Sequence, residues 1–321
     1  MVANISEYCI SNLVCEAYGH PAIRLYLAPF HVRSLVAPPW PMRAEMSGPL
    51  AHTYAKYTLP ALHRRVATDP KCLSEINSER TAWRLPPVSS CIPREEWVVR
   101  RFALFPDWYC SPAEDWPGNV ELVGFPLPGP HDLDTNVREW LKEHPSPLVF
   151  TPGTSPTGHV DHFFDQALLC CRALGVPGVL LSPRLADAGV AIHGDVLRLA
   201  YVELGALMRH SALLIHHGGI GTTARALEAG IPQIVSPLVY DQPDNAERVR
   251  ARTVGEIMTG ECSAVEASRW MSSKDLLGEL TYFYVNNFTQ SDRQLEQYRQ
   301  SMLAHARAPG KGELFSGGLA S

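Results

Sequence analysis

From residue 147 onward, short apolar runs alternate with stretches whose apolar positions recur every three or four residues. Residues 147–151 form the first run, closed by the turn Pro152-Gly153-Thr154-Ser155. In 162–174, Phe163, Phe164, Ala167, Leu168, Cys171 and Leu174 share one helical face, and Gly175 stops the helix. The same reading predicts strands at 179–181, 197–202, 212–215 and 233–236. It predicts helices at 204–209, at 222–229 (ended by Gly230), at 245–252 and at 264–270, 274–285 and 291–306. Strands separated by helices imply βαβ units and a parallel sheet, an α/β fold.

The first half is less regular. A helix is predicted over 8–16, a buried strand over 22–27, a helix over 54–65 and a strand over 98–105. Prolines crowd this half (Pro38, Pro39, Pro41; Pro126, Pro128, Pro130), and the Pro- and Gly-rich stretch 115–134 reads as a linker. The expected organisation is a first domain with linker over 1–119, a second domain over 120–306 and a tail over 307–321.

Composition narrows the function classes. The net charge of -5 offers no basic stripe for nucleic acid. None of the eight cysteines forms a C-x-x-C pair and no Cys/His cluster has zinc spacing, so reduced thiols are expected. No apolar run reaches the roughly 18 residues of a membrane helix. The start carries Glu7 and no basic segment, unlike a signal peptide. The expected location is the cytoplasm, with peripheral membrane contact open if the substrate is a lipid.

The stretch that carries chemistry is His216-His217-Gly218-Gly219-Ile220-Gly221-Thr222-Thr223, between a buried strand and a helix expected to open at the threonines. Glycines let the backbone turn sharply and approach a ligand. A helix N-terminus leaves N–H groups without intrahelical partners and carries the positive end of the dipole, which suits a phosphate or diphosphate. Thr222 and Thr223 can cap the helix or donate to phosphate oxygens, and His217 can donate to a phosphate and stabilise charge on a leaving diphosphate. The spacing fits neither the dinucleotide fingerprint nor a P-loop, since the third glycine and the lysine are absent. After the next strand comes Tyr240-Asp241-Gln242-Pro243-Asp244-Asn245. A carboxylate beside an amide, Asp241 and Gln242, suits paired sugar hydroxyls, while Asp244 or Asn245 reads as a helix cap.

These residues, with Ala229-Gly230-Ile231-Pro232-Gln233, resemble the donor signature of UDP-glycosyltransferase-like enzymes with the GT-B fold, two Rossmann-like domains with parallel sheets. The bacterial macrolide, glycopeptide and rhamnolipid glycosyltransferases belong to that group. Leu104-Phe105-Pro106-Asp107-Trp108-Tyr109, Asp115-Trp116-Pro117 and Val123-Gly124-Phe125-Pro126-Leu127 resemble the interdomain region of the rhamnosyltransferases of rhamnolipid synthesis. The resemblance implies transfer of a hexose from a UDP- or dTDP-sugar to a hydroxyl of a hydrophobic small molecule or lipid. The transfer is inverting and needs no metal and no cofactor, the nucleotide sugar being a co-substrate. It implies that His217, Gly218, Gly219, Gly221, Thr222 and Thr223 hold the diphosphate and Asp241 and Gln242 the sugar. Thr154, His216 and the region of Tyr201 and Val202 border the donor cleft.

The family opens with a strand, a Gly-rich loop and a helix whose loop supplies a general-base histidine. No such unit is expected before Tyr8, so the first domain reads as incomplete and the base as absent. His20, His31 and His52 have no geometric claim to that role. The alternative is therefore a truncated or inactive nucleotide-sugar-binding relative. A nucleotide-sugar epimerase of the same architecture is disfavoured by the Asp241-Gln242 pair. Asp132-Leu133-Asp134 matches the D-x-D of metal-dependent glycosyltransferases of another fold, but its place in the linker reads as a surface loop.

Overall fold

The computed structural model of the chain describes residues 2–4, 8–39, 61, 64–65, 67–92, 95–129, 132–154, 160–188 and 191–258. The helices predicted at 264–270, 274–285 and 291–306, most of that at 54–65, the tail over 307–321, and Ser155 and His52 lie outside the described residues.

Two sheets organise the chain. The first is parallel, in the order β1 (Val2–Asn4), β2 (Ala22–Tyr26), β3 (Val98–Ala103) and β4 (Val120–Leu122). Helices α1 (Tyr8–Tyr18) and α2 (Pro70–Ala82) accompany it. Two expectations change here. Val2–Asn4, where no strand was foreseen, pairs with β2, and Val120–Leu122, inside the expected linker and at the expected start of the second domain, pairs with β3. Helix α2 carries no apolar stripe, which hid it from periodicity. Its signal is the cap: the Asp69 side chain accepts from the Cys72 N–H and Pro70 occupies the first turn.

The second sheet has the order β11 (Gly255–Ile257), β10 (Gln233–Val235), β9 (Leu213–His216), β5 (Leu148–Thr151), β6 (Gly178–Leu181), β8 (Val196–Leu199) and β7 (Ala191–His193). All pairs are parallel except β7 with β8. Its helices are α3 (Thr135–Glu143), α4 (Val160–Leu174), α5 (Leu204–Met208), α6 (Ile220–Ala229) and α7 (Gln242–Ala251). Strand alternation sends Val149, Val179 and Leu214 to one face, against Trp140 and Leu207. It sends Leu148, Phe150, Leu213 and Ile215 to the other, against Phe164 and Cys171. Strands buried on both faces read as continuous apolar runs, which is why the pattern located them.

The sheets share a third core. Tyr26, Phe105, Tyr109 and Phe125 pack with Ala224, Leu227, Val235, Ala246 and Val249. Each large apolar side chain of this kind contributes about 1.5–3 kcal/mol on full burial. Polar contacts join the same seam: Arg225 pairs with Glu203 at 3.4 Å and Glu228 at 2.6 Å and donates to the Pro128 carbonyl at 2.9 Å. Among the described residues no helix is long and apolar enough to cross a membrane.

Candidate functional site

Strand order locates the crevice. From β5 the chain moves outward through β6 and β8, then returns to place β9 on the other side of β5 and continues to β10 and β11. The direction of winding reverses between β5 and β9, where open α/β sheets bind ligands beyond the strand carboxyl ends. Thr151 and His216 are the last paired residues there. Thr154 follows in the β5 exit, exposed, and His217-Gly218-Gly219 form the β9 exit.

Two glycines seat the His217 ring. At Gly153, φ is +81° and a Cβ would lie 2.5–2.7 Å from three atoms of the imidazole; a Cβ on Gly219 would collide with its Nε2. Nδ1 is buried, without a partner of hydrogen-bond geometry among the described residues. Burial holds the ring's pKa below the ordinary histidine value, opposed by the Thr151 carbonyl and the charge of Asp241. Gly218 has a φ of +91°, and a Cβ there would meet Val235 Cγ1 at 2.8 Å and the Gln242 carbonyl oxygen at 3.1 Å. Only glycine fits this left-handed, backbone-crowded position.

His216, expected to line the cleft, is instead fully buried. Its Nδ1 accepts from the Gly218 N–H at 3.1 Å and its Nε2 lies 3.0 Å from Gln233 Oε1, so both ring nitrogens are engaged inside the fold. Burial and the neighbouring His217 push its pKa down from 6.5 to about 3. The ring therefore stays neutral in the folded chain, while the unfolded chain takes up a proton as pH falls below about 6.5. Stability linked to this group is intact above that pH and falls by about 1.4 kcal/mol per pH unit below it, until the folded ring protonates. Urea midpoints between pH 7 and pH 4 should drop more steeply for the native chain than for His216→Gln; parallel slopes would refute the assignment.

Helix α6 opens two residues earlier than expected, at Ile220 with Gly219 as its cap. Gly219 supplies no side-chain cap bond, so the Ile220, Gly221 and Thr222 amides lack intrahelical acceptors. A Cβ on Gly221 would meet nothing within 4 Å, so the space above this turn is open. Thr223 does not face it: the side chain is fully buried and its hydroxyl donates to the Gly219 carbonyl at 3.1 Å. Thr222 is half-buried on the same turn. At the far end, Gly230 in the left-handed conformation closes the helix.

Helix α7 begins at Gln242, with Asp241 at the cap position but making no cap bond. One Asp241 oxygen, Oδ2, accepts from Asn245 Nδ2 at 2.8 Å. Gln242 is buried and its Oε1 accepts from the Leu238 and Val239 amides at 2.8 and 3.1 Å, which leaves Nε2 as the atom to meet a sugar. Neither Asp244 nor Asn245 caps the helix, contrary to expectation. Asp244 forms a buried ion pair with Arg248 at 2.7 Å, and Asn245 bridges to other elements. Val202 also departs from expectation, because its side chain packs in the core with Leu199 and Leu207 and only its backbone is available to a base. Tyr201 beside it is 85% exposed. Asp134 caps α3 by accepting from the Asn136 N–H.

Sequence reasoning missed His31. It stands just past the carboxyl end of β2, accepts the Ala28 N–H on Nδ1 at 3.2 Å, and feels the charge of Asp241 across the seam. Only strand direction could have found it, since the residue lies beyond the end of the predicted strand 22–27. A cavity of about 810 Å³ lies elsewhere. Asn12, Glu16, Ile76, Arg80 and Trp97 line it, and Trp97 enters β3 at the end of the first sheet opposite the strand carboxyl termini.

Residues 179–292 match the family model described as erythromycin biosynthesis protein CIII-like, C-terminal domain. An uncharacterized glycosyltransferase of Mycobacterium bovis, Mb1551, is 26% identical over 259 residues, 79% of this chain and 60% of the relative. The O-mycaminosyltylonolide 6-deoxyallosyltransferase of Streptomyces fradiae is 30% identical over 186 residues, 55% of this chain and 42% of that one. Among solved structures, the calicheamicin glycosyltransferase CalG4 aligns with a TM-score of 0.61 at 17% identity, covering 96% of this chain and 76% of the other. The chain thus spans about 60% of the length of the mycobacterial relative.

Proposed function

Since this chain belongs to the UDP-glycosyltransferase-like family with the GT-B fold, we propose that it binds a nucleoside-diphosphate sugar, UDP- or dTDP-linked, in the crevice between β5 and β9 and serves hexosyl transfer. One observation carries the reading: the unmet amides of the first α6 turn and the glycine-seated imidazole of His217 converge where the sheet reverses its winding. Three amides and the helix dipole attract the diphosphate, and His217 donates a hydrogen bond to it. As the bond from the anomeric carbon to the diphosphate lengthens, charge grows on the leaving oxygen and the same donors stabilise it without a metal. Asp241 Oδ1 accepts a sugar hydroxyl and Gln242 Nε2 donates to its neighbour. Attack by an acceptor hydroxyl from the face opposite the diphosphate gives inversion. A hydrophobic small molecule or a lipid is the proposed acceptor.

Calorimetry with a panel of UDP- and dTDP-hexoses tests the donor site directly, alongside assays of nucleoside diphosphate release with and without alcohols. Micromolar binding of at least one donor is expected. A chain that binds neither the sugars nor free UDP or dTDP would contradict the reading.

A further inference from the structure

We infer that Asn245 is a positioning residue that aligns the Asp241 carboxylate with the diphosphate loop, and that Tyr109, reaching over from the first sheet, holds it in that state. The inference rests on the reading of Asp241 as a ligand of the donor sugar. Asn245 lies one helical turn beyond Asp241, on the same side of α7, and is fully buried. Its Nδ2 makes two bonds, to Asp241 Oδ2 at 2.8 Å and to the Gly218 carbonyl at 2.9 Å. Its Oδ1 accepts from the Tyr109 hydroxyl at 3.1 Å. A carboxamide supplies two donors on one nitrogen and an acceptor beside it, and no other side chain of this size does so.

Tyr109 decides which way that amide points. It sits in the loop between β3 and β4 and is fully buried, its ring flanked by the guanidinium carbons of Arg248 at 5.8 Å and Arg252 at 5.1 Å. Its carbonyl accepts from Arg248 Nη1 at 3.2 Å and Arg252 Nη2 at 2.5 Å. A hydroxyl held there donates to the oxygen of Asn245, which turns the nitrogen toward Gly218 and Asp241. Asp241 is then fixed through Oδ2, and Oδ1 is the oxygen aimed at a sugar hydroxyl. Gly218, whose carbonyl takes the other bond, is flanked by His217 and Gly219, so one buried amide sets the distance between the sugar and diphosphate subsites.

The test is calorimetry of the tightest-binding UDP- or dTDP-hexose and of the matching free diphosphate, with Asn245→Ala, Tyr109→Phe, Asp241→Ala and the two double variants that combine Asn245→Ala with each of the others. Asn245→Ala should weaken the sugar nucleotide about tenfold and the free diphosphate by about threefold or less. Tyr109→Phe, which keeps the packed ring, should act in the same direction by about threefold. In the Asp241→Ala background, Asn245→Ala should cost the sugar nucleotide no more than about threefold further. Removal of the Tyr109 hydroxyl together with the amide restores soluble protein if Asn245→Ala alone folds poorly. Equal losses for sugar nucleotide and free diphosphate, or full additivity with Asp241→Ala, would overturn the positioning role while leaving Asp241 as the sugar ligand. An Asp241→Ala chain with native sugar-nucleotide affinity, or a native chain that binds none of the panel, would sink both readings.

Discussion

Replacing His217 by alanine should weaken binding of UDP or dTDP by about ten- to a hundredfold. A charge-assisted hydrogen bond to an anion contributes about 1.5–3 kcal/mol. The ring is mostly buried against two glycine Cα atoms and cannot swing elsewhere, so no other rotamer compensates. The fold should tolerate the change, because the buried Nδ1 makes no hydrogen bond that the truncation would orphan. Calorimetry at pH 7.5, where the depressed pKa keeps the free ring neutral, is the appropriate measurement. Native affinity in His217→Ala would remove the imidazole from the site.

Gly218→Ala should cost about 2–4 kcal/mol of folding stability and abolish measurable nucleotide binding. The left-handed backbone costs an alanine about 1–2 kcal/mol, and the new methyl overlaps a Val235 methyl and crowds the Gln242 carbonyl. Relief requires β9 and the start of α7 to part, which breaks the Asn245 bond to the Gly218 carbonyl as well. Gly221→Ala is the informative contrast. Its Cβ meets no atom, and alanine in a helix is favoured over glycine by roughly 0.5–1 kcal/mol, so stability should rise. Its methyl would project into the space assigned to the diphosphate, so affinity should fall. Urea unfolding and calorimetry on both variants separate the cases; a Gly221→Ala chain with unchanged affinity would move the diphosphate away from this turn.

Much of this arrangement was legible in the chain, for local reasons. Apolar runs at 147–151, 179–181 and 212–215 are interior strands because both of their faces are covered. Glycines bunched between β9 and α6 mark a sharp crossover, and Gly230 marks a helix end. Where β9 stops was not legible. Of two adjacent histidines, the one still paired with Thr151 and Val235 is interior and the next is at the exit, and composition is blind to that one-residue difference. Thr223 and Val202 were misjudged similarly, since side-chain direction depends on where the helix opens and on what packs behind the loop. Helix α2 shows the opposite limit, with a legible cap and no stripe to draw attention to it.

What the chain determined alone is whatever rests on neighbours within a turn or a strand: the alternation that builds a parallel sheet, the glycines that free the backbone, and the amides exposed at the start of α6. What only the folded molecule decided is convergence. The order of strands brings β5 beside β9, and the seam brings the Tyr109 hydroxyl to Asn245 across 136 residues of sequence. No local preference encodes such a contact, because the core of both sheets sets its geometry.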